Sequence, residues 1–376
     1  MKIAIVANSS WAAYNFRLNL AEGIVRDGSE VIFIMPFDDK YSEKLKENFE
    51  CYNLTIDSKS LNPFKDLKTF FMLFGIYSKL KPNLVCHFTI KLNIYGSIAA
   101  KLCNVPSIAN ITGLGTVFIT RSIATFAAKL LYKFSLLFPS KIFFQNKDDL
   151  NYFFEKKIVN DSNVELLPGS GVDLNKFQFS PVILKKEKFV FLMISRVLRD
   201  KGIYEYIEAI KIIKSEYPNE LIEFQLLGET NVNNKSAIKN SELALWIDQG
   251  LISYLGVSDQ VHNVILGCHC VVLPSYREGM PRSILEAFAI GRPSIVSDVP
   301  GCRDIVEHEG NGLICKVKSA EDLAKKMIEM VELPEEARIR FAENGRNKVE
   351  HYFDEKIVID SYLKSINDIL SNEKNI

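Results

Sequence analysis

Short apolar runs alternate with amphipathic stretches along most of this chain. Runs at residues 2–7, 31–35, 84–87, 107–110, 141–144 and 164–167 are rich in Val, Ile, Leu and Phe and read as buried strands. Between them, residues 16–27, 93–103 and 148–155 carry apolar side chains at helical spacing. A polar, Lys-rich stretch at 178–188 breaks the pattern and reads as a linker. The alternation then resumes, with strands expected at 189–194, 222–227, 253–255, 270–273 and 294–297. Helices are expected at 204–215, 258–267, 282–290, 320–331 and 335–352, and a last one at 356–370. Strand–helix alternation of this kind builds parallel sheets covered on both faces, so the fold class is α/β, doubly wound. A chain of 376 residues exceeds one comfortable core, so two such domains are expected, at 1–180 and 181–352, followed by a terminal segment at 353–376.

Open α/β sheets bind ligands at the carboxyl ends of their strands, and the polar motifs fall there. Ser195-Arg196 follows one expected strand, Leu227-Gly228-Glu229 the next, residues 275–282 a third, and Asp298-Val299-Pro300-Gly301 a fourth. The turn after the first strand reads Asn8-Ser9-Ser10-Trp11 rather than a Gly-x-Gly-x-x-Gly, which disfavours a dinucleotide dehydrogenase, and no Gly-Lys-Ser/Thr phosphate loop occurs. The most informative stretch is Arg277-Glu278-Gly279-Met280-Pro281-Arg282-Ser283-Ile284-Leu285-Glu286-Ala287. It reads as a Gly/Pro turn entering a helix, with Ser283 as N-cap. A helix start offers N–H groups and the positive end of its dipole to a phosphate or polarised sugar. Glu278 stands in the turn and Glu286 about two helical turns further on. The plainer alternative is two solvated glutamates on a surface helix.

This stretch resembles the glutamate-spaced signature of glycosyltransferase family 4, retaining enzymes of the GT-B fold that use nucleotide-sugar donors. Residues 193–202, Met-Ile-Ser-Arg-Val-Leu-Arg-Asp-Lys-Gly, are similar to that family's Gly-Arg-Leu…Lys-Gly element, with Ser195 in place of the usual Gly. Pro168-Gly169-Ser170-Gly171-Val172-Asp173 with Phe177, Ser297 to Cys302, and Gly310-Asn311-Gly312-Leu313 extend the likeness across the second half. Within the family the chain is most similar to bacterial enzymes that build lipid-linked oligosaccharides, O-antigens and capsules, including a type that adds N-acetylgalactosamine to a diphospho-undecaprenol sugar. The region around Ser60-Leu61-Asn62-Pro63-Phe64, Lys91, Asn93 and Gly113-Leu114-Gly115 is shared with that type.

The resemblance implies two Rossmann-like domains facing a central cleft, the last helix crossing back to the first domain. It assigns Arg196 and Lys201 to the donor diphosphate, Glu278 to the donor-sugar hydroxyls and Glu286 to the ribose 2′- and 3′-hydroxyls. Gly228 and the turn residues Gly279, Met280, Pro281 and Arg282 complete the donor site. Breaking the anomeric bond puts negative charge on the leaving phosphate, and a forked guanidinium beside an ammonium is the cation pair such chemistry needs. With two cations placed and no two aspartates separated by a single residue, no metal and no other cofactor are expected. The acceptor falls to the first domain, at Asn8, Ser9, Ser10, Lys91, Asn93, Thr112 and Gly113. Family members often carry an acid or His near the position of Thr112, which this chain lacks. His87, at a strand end, either substitutes for it or is structural, and Lys91 either meets the acceptor diphosphate or is a surface lysine.

Charge adds one element. Net charge is zero, yet between Ser58 and Lys147 there are eleven Lys and one Arg against a single acid, Asp66. Two very apolar pieces lie there. Residues 64–80 carry Phe70, Phe71, Phe74 and Tyr77 beside Lys65, Lys68 and Lys79, and residues 123–138 carry Lys129 and Lys133. Basic aromatic helices suit an anionic membrane surface; the alternative is core helices with a lysine fringe. Nucleic acid is disfavoured, since no binding motif occurs and the overall pI is about 7.0. Seven scattered cysteines without metal-ligand spacing, no signal peptide and no spanning segment fit a cytoplasmic protein, and the resemblance implies an enzyme peripheral on the inner face of the bacterial cytoplasmic membrane. The substrates expected are a UDP-sugar and an undecaprenyl-diphosphate-linked saccharide. Two rival readings are a nucleotide-sugar epimerase of the same fold and a non-enzymatic subunit of a polysaccharide assembly complex.

Overall fold

The computed structural model describes residues 1–57, 62–113, 123–180, 188–218, 221–230, 234 and 236–373. Ser60, Leu61, Leu114, Gly115 and most of the expected 178–188 linker lie outside the described residues. Met1–Ser170 with Lys356–Ile376 form one compact unit, and Gly171–Glu355 form another. The division thus falls ten residues before the expected 180. Val172 already belongs to the second unit, its N–H donating to Phe353 O at 2.9 Å, and Phe177 is buried in that unit's core.

In the first unit the chain runs β1 (Lys2–Val6), α1 (Ser10–Arg26), β2 (Glu30–Met35), α2 (Lys40–Lys46), β3 (Glu50–Asn53), α3 (Pro63–Leu80) and β4 (Leu84–Phe88). It continues through a π-helical turn at Leu92–Gly96, α4 (Ser97–Leu102), β5 (Ser107–Ile111), α5 (Ile123–Ser135), β6 (Lys141–Phe144), α6 (Lys147–Glu155) and β7 (Val164–Leu166). These strands form one sheet in the order β3-β2-β1-β4-β5-β6-β7, with every neighbouring pair parallel. Alternation along β1 shows why both faces are apolar: Ile3 and Ile5 pack toward α1, while Ala4 and Val6 pack toward α3 and α4. The helix expected at 93–103 is π-helical over its first turn, and Thr89 just before it sits at φ 80, a left-handed conformation costly for a β-branched residue.

In the second unit the order is β8 (Phe189–Ile194), α7 (Ile203–Glu216), β9 (Ile222–Leu227), α8 (Asn240–Asp248), β10 (Ser253–Tyr254), α9 (Val261–Leu266), β11 (Cys270–Leu273) and α10 (Arg282–Ile290). Then follow β12 (Ser294–Ser297), α11 (Cys302–Ile305), β13 (Gly312–Cys315), α12 (Ala320–Glu332) and α13 (Glu335–Tyr352). The sheet order is β10-β9-β8-β11-β12-β13, again parallel throughout.

The last helix, α14 (Glu355–Glu373), is counted with the first unit from Lys356 on. Its Tyr362 is fully buried, packs on Phe88 and Phe143, and its hydroxyl accepts from Asn110 Nδ2 at 2.6 Å.

Helix α3 buries only Thr69, Leu73 and Tyr77. On its other side Phe64, Leu67, Phe71 and Phe74 are exposed, Phe64 to 80% and Phe71 to 60%, with Lys65 and Lys68 among them. Leu130, Leu131, Lys133 and Phe134 on α5, and Leu137 just beyond it, are exposed as well. Among the described residues no helix is long and apolar enough to cross a membrane.

Candidate active site

Each sheet reverses its strand order once, at β1/β4 in the first unit and β8/β11 in the second. A crevice opens outside the carboxyl ends of the strands at such a point. The second unit puts the Ser195–Gly202 segment on one side of it and residues 274–282 on the other, because β8 and β11 pair directly with Leu192 opposite Val271.

Arg196 follows β8 by two residues; its side chain is exposed and has no ion pair among the described residues. Lys201 ends a 3₁₀ turn at Arg199–Lys201 and points across the switch point. Its Nζ lies 2.5 Å from Glu278 Oε1, and the two side chains are 17% and 12% exposed. Ser275, fully buried, donates its hydroxyl to the same oxygen at 2.6 Å. Ser275 is absent from the expected set; its place in the turn just after Pro274 is the only signal for it.

The turn enters α10 differently from expectation. Helical geometry begins at Arg282, so Pro281 takes the N-cap position, with no side chain to accept, and Ser283 lies inside the first turn. Glu286 thus lies about one turn into the helix. Arg282, expected to be a cation for the phosphate, instead pairs with Glu286, Nε to Oε1 at 2.9 Å across one helical turn. Burial holds the Glu286 carboxyl above its ordinary range, and the charges of Arg282 and Lys176 act against that shift. Lys176, exposed near the start of this unit, is a further cation acting on Glu286 that is absent from the expected set.

Gly228 follows β9, but its N–H donates to Gly256 O at 2.8 Å and its carbonyl accepts from the Tyr254 hydroxyl at 2.8 Å. Its backbone groups are thus taken up internally. A side chain there would put Cβ 1.7 Å from the Ser195 carbonyl oxygen. Gly228 lets the β8 and β9 ends approach, and so sets where Arg196 starts.

In the first unit the expected acceptor residues divide into two groups. Asn8 and Ser9 at the end of β1, and Thr112 and Gly113 beyond β5, are half-buried at strand ends as expected. Ser9 N-caps α1 through the Ala12 N–H at 3.1 Å. The others are structural. Ser10 is fully buried, its hydroxyl donating toward Asp38 and Asp39 at 2.5 Å each. Asn93 is fully buried on the π-helical turn and donates to Asn110 O at 2.8 Å and the Tyr132 hydroxyl at 3.3 Å. Lys91 is neither a surface lysine nor open to a phosphate. It is held by Asp66 Oδ1 at 2.5 Å and the Asp57 carbonyl at 2.7 Å, with Tyr95 donating to the other Asp66 oxygen at 3.1 Å. His87 is structural too: fully buried, bonded to the Tyr77 hydroxyl at 2.9 Å, and pushed down to about 3 by burial. Trp11, at the first turn of α1 and 45% exposed, is an aromatic surface at the β1 end absent from the expected set.

Comparison with known proteins agrees with this arrangement. The family model "Glycosyl transferases group 1" matches residues 175–348, and "Glycosyl transferase 4-like" matches residues 2–146. The chain is 29% identical to the N,N'-diacetylbacillosaminyl-diphospho-undecaprenol alpha-1,3-N-acetylgalactosaminyltransferase of Campylobacter jejuni, over 99% of this chain and 100% of that one. It is 28% identical to the UDP-Gal:alpha-D-GlcNAc-diphosphoundecaprenol alpha-1,3-galactosyltransferase of Escherichia coli, over 78% of each. Among solved structures, Anabaena HepE in complex with UDP and glucose superposes with a TM-score of 0.79 at 18% identity, covering 98% of this chain and 100% of that one. Sucrose-phosphate synthase from Thermosynechococcus elongatus gives 0.81 at 16%, covering 99% and 100%. Two parallel-sheet units, two glycosyl transferase models that between them span both, and full-length likeness to a lipid-linked sugar transferase identify this chain as a glycosyltransferase of the GT-B fold.

Proposed function

We propose that this enzyme moves a sugar from a UDP-sugar to an undecaprenyl-diphosphate-linked saccharide, with retention of configuration and without a metal, in O-antigen, capsule or glycoprotein glycan assembly. N-acetylgalactosamine is the first choice of sugar, on the likeness to the Campylobacter enzyme. The observation that carries the reading is Lys201 paired with Glu278 at the β8/β11 switch point, with the exposed guanidinium of Arg196 nearby in the chain.

In the reaction the bond from the anomeric carbon to the β-phosphate oxygen breaks, and its electron pair stays on the diphosphate. Arg196 and Lys201 stabilise that charge, the role a divalent ion fills elsewhere. Glu278 orients the sugar hydroxyls and Glu286 the ribose. The acceptor hydroxyl attacks from the face the leaving group vacates, and its proton passes to the departing phosphate oxygen. The sequence offers no evident protein nucleophile, so this front-face path is preferred to a covalent intermediate.

The enzyme works at the inner face of the cytoplasmic membrane, where such an acceptor resides. Support comes from the outer side of α3, whose Phe64, Leu67, Phe71 and Phe74 lie among lysines. Asp66 is neutralised by Lys91 and Lys65 pairs with Asp57, so Lys68 and Lys79 supply the positive charge of an apolar surface suited to anionic headgroups.

The test is transfer from a panel of radiolabelled UDP- and GDP-sugars to synthetic polyprenyl-diphosphate-linked N-acetylhexosamine with EDTA present, and the anomeric configuration of the product by NMR. One UDP-sugar giving an α-linked lipid product supports the reading. Conversion of the donor to its epimer without lipid product would favour the epimerase.

A further inference from the structure

Glu278 does its work from a turn without regular secondary structure, so something must fix that turn. The contacts that do so converge on the segment from Arg199 to Glu205. Tyr276 donates its backbone N–H to the Asp200 carbonyl at 2.9 Å and its hydroxyl to Glu205 Oε1 at 2.7 Å. Glu205 lies in the first turn of α7, where the helix dipole favours a carboxylate. Lys318, beyond β13, stands 4.8 Å over the Tyr276 ring. The backbones themselves touch: Gly202, at φ 78, would place a Cβ 2.1 Å from the Pro274 carbonyl oxygen. The phenol is held protonated, since burial and the Glu205 carboxylate both push it above its ordinary range, and it therefore stays a donor.

Lys201 and Glu278 hang from the two sides of this joint, Lys201 between Asp200 and Gly202, Glu278 two residues beyond Tyr276. Holding reacting groups to within fractions of an ångström is worth large factors in rate. We infer that Tyr276 and Glu205 are positioning residues for the donor site, a brace whose hydrogen bond sets the separation of Lys201 and Glu278 on the sugar diphosphate. The inference rests on the donor-site reading above, and in it the brace acts through the placement of Lys201 and Glu278. Both residues escaped the sequence reading because they lie 71 positions apart.

The test is steady-state transfer kinetics with the full-length enzyme and UDP-N-acetylgalactosamine, or whichever UDP-sugar the donor panel selects. Tyr276→Phe removes only the hydroxyl. It should lower kcat/KM for the donor roughly five- to tenfold, the equivalent of one hydrogen bond, while the acceptor KM and the thermal midpoint stay near wild type. Glu205→Ala should match it, Glu205→Gln, which can still accept, should recover most of the loss, and the Tyr276→Phe/Glu205→Ala double variant should be no worse than either single. Unchanged donor kinetics in Tyr276→Phe, or losses that multiply in the double variant, would overturn the brace. Glu278→Ala run alongside separates the two levels: if it keeps full activity the donor-site reading itself fails, whereas its inactivity with an unaffected Tyr276→Phe condemns only the brace.

Discussion

The Lys201 ammonium and the Glu278 carboxylate lie 2.5 Å apart although 77 positions separate them in the chain. Parallel pairing of β8 with β11 brings them together, and neither would be so placed if the two strands were not neighbours. Both are largely buried, so removing one partner leaves the other charge uncompensated. Lys201→Met should therefore lower the thermal midpoint as well as kcat/KM for transfer, the latter by about 10²- to 10³-fold. The Lys201→Met/Glu278→Gln double variant should regain stability without regaining activity. Calorimetric scans and transfer assays on the three proteins check this.

Glu286 supplies a pH dependence. Its carboxyl is raised by burial, so it takes up a proton at a higher pH than an exposed glutamate does. Nucleotide affinity should therefore begin to fall, as pH drops, above the ordinary carboxylate range. Arg282→Ala removes a charge that opposes the shift and should move this fall to higher pH still, while Glu286→Gln should abolish it. Titration calorimetry with UDP across pH, wild type against Glu286→Gln, isolates the effect from the nucleotide's own titration.

His87 supplies a pH dependence of stability. Its folded value is depressed from 6.5 to about 3, so the folded protein holds it neutral while the unfolded chain takes up a proton. The associated stability is complete above 6.5 and is lost as pH falls from there toward 3. Between pH 7 and pH 5 wild type should lose roughly 2 kcal/mol more than His87→Gln does, from about 1.4 kcal/mol per pH unit. Urea unfolding of both proteins at the two pH values gives the difference.

Much of this was legible from the chain because long apolar strands announce themselves. Runs such as Phe189–Ile194 leave little choice of structure, and the strand-end position of Arg196, Lys201 and Glu278 follows from them. What escaped was short or polar. α2 (Lys-Tyr-Ser-Glu-Lys-Leu-Lys) and β3 (Glu-Cys-Tyr-Asn) carry too few apolar residues to show a period. Ser10 read as part of a ligand loop because nothing local reveals that its hydroxyl is taken by Asp38 and Asp39. Lys91 looked like a phosphate contact because its partner, Asp66, is 25 positions away. Ser283 lost the cap to Pro281, whose fixed φ starts α10 two residues earlier.

The outer side of α3 makes a separate prediction. Phe64 and Phe71 are exposed, so Phe64→Ser/Phe71→Ser should leave the thermal midpoint nearly unchanged. Binding to anionic vesicles should weaken about tenfold or more, as apolar area is lost from the membrane face. Co-sedimentation with phosphatidylglycerol-containing vesicles, against purely zwitterionic ones, reads this directly.

The most direct test of the central claim is transfer of label from UDP-N-acetylgalactosamine to undecaprenyl-diphosphate-linked N-acetylhexosamine, wild type beside Glu278→Ala, with EDTA present. The account predicts labelled lipid with wild type and a loss of about 10²-fold or more in the variant, without loss of fold. Equal labelling by the two proteins would contradict it.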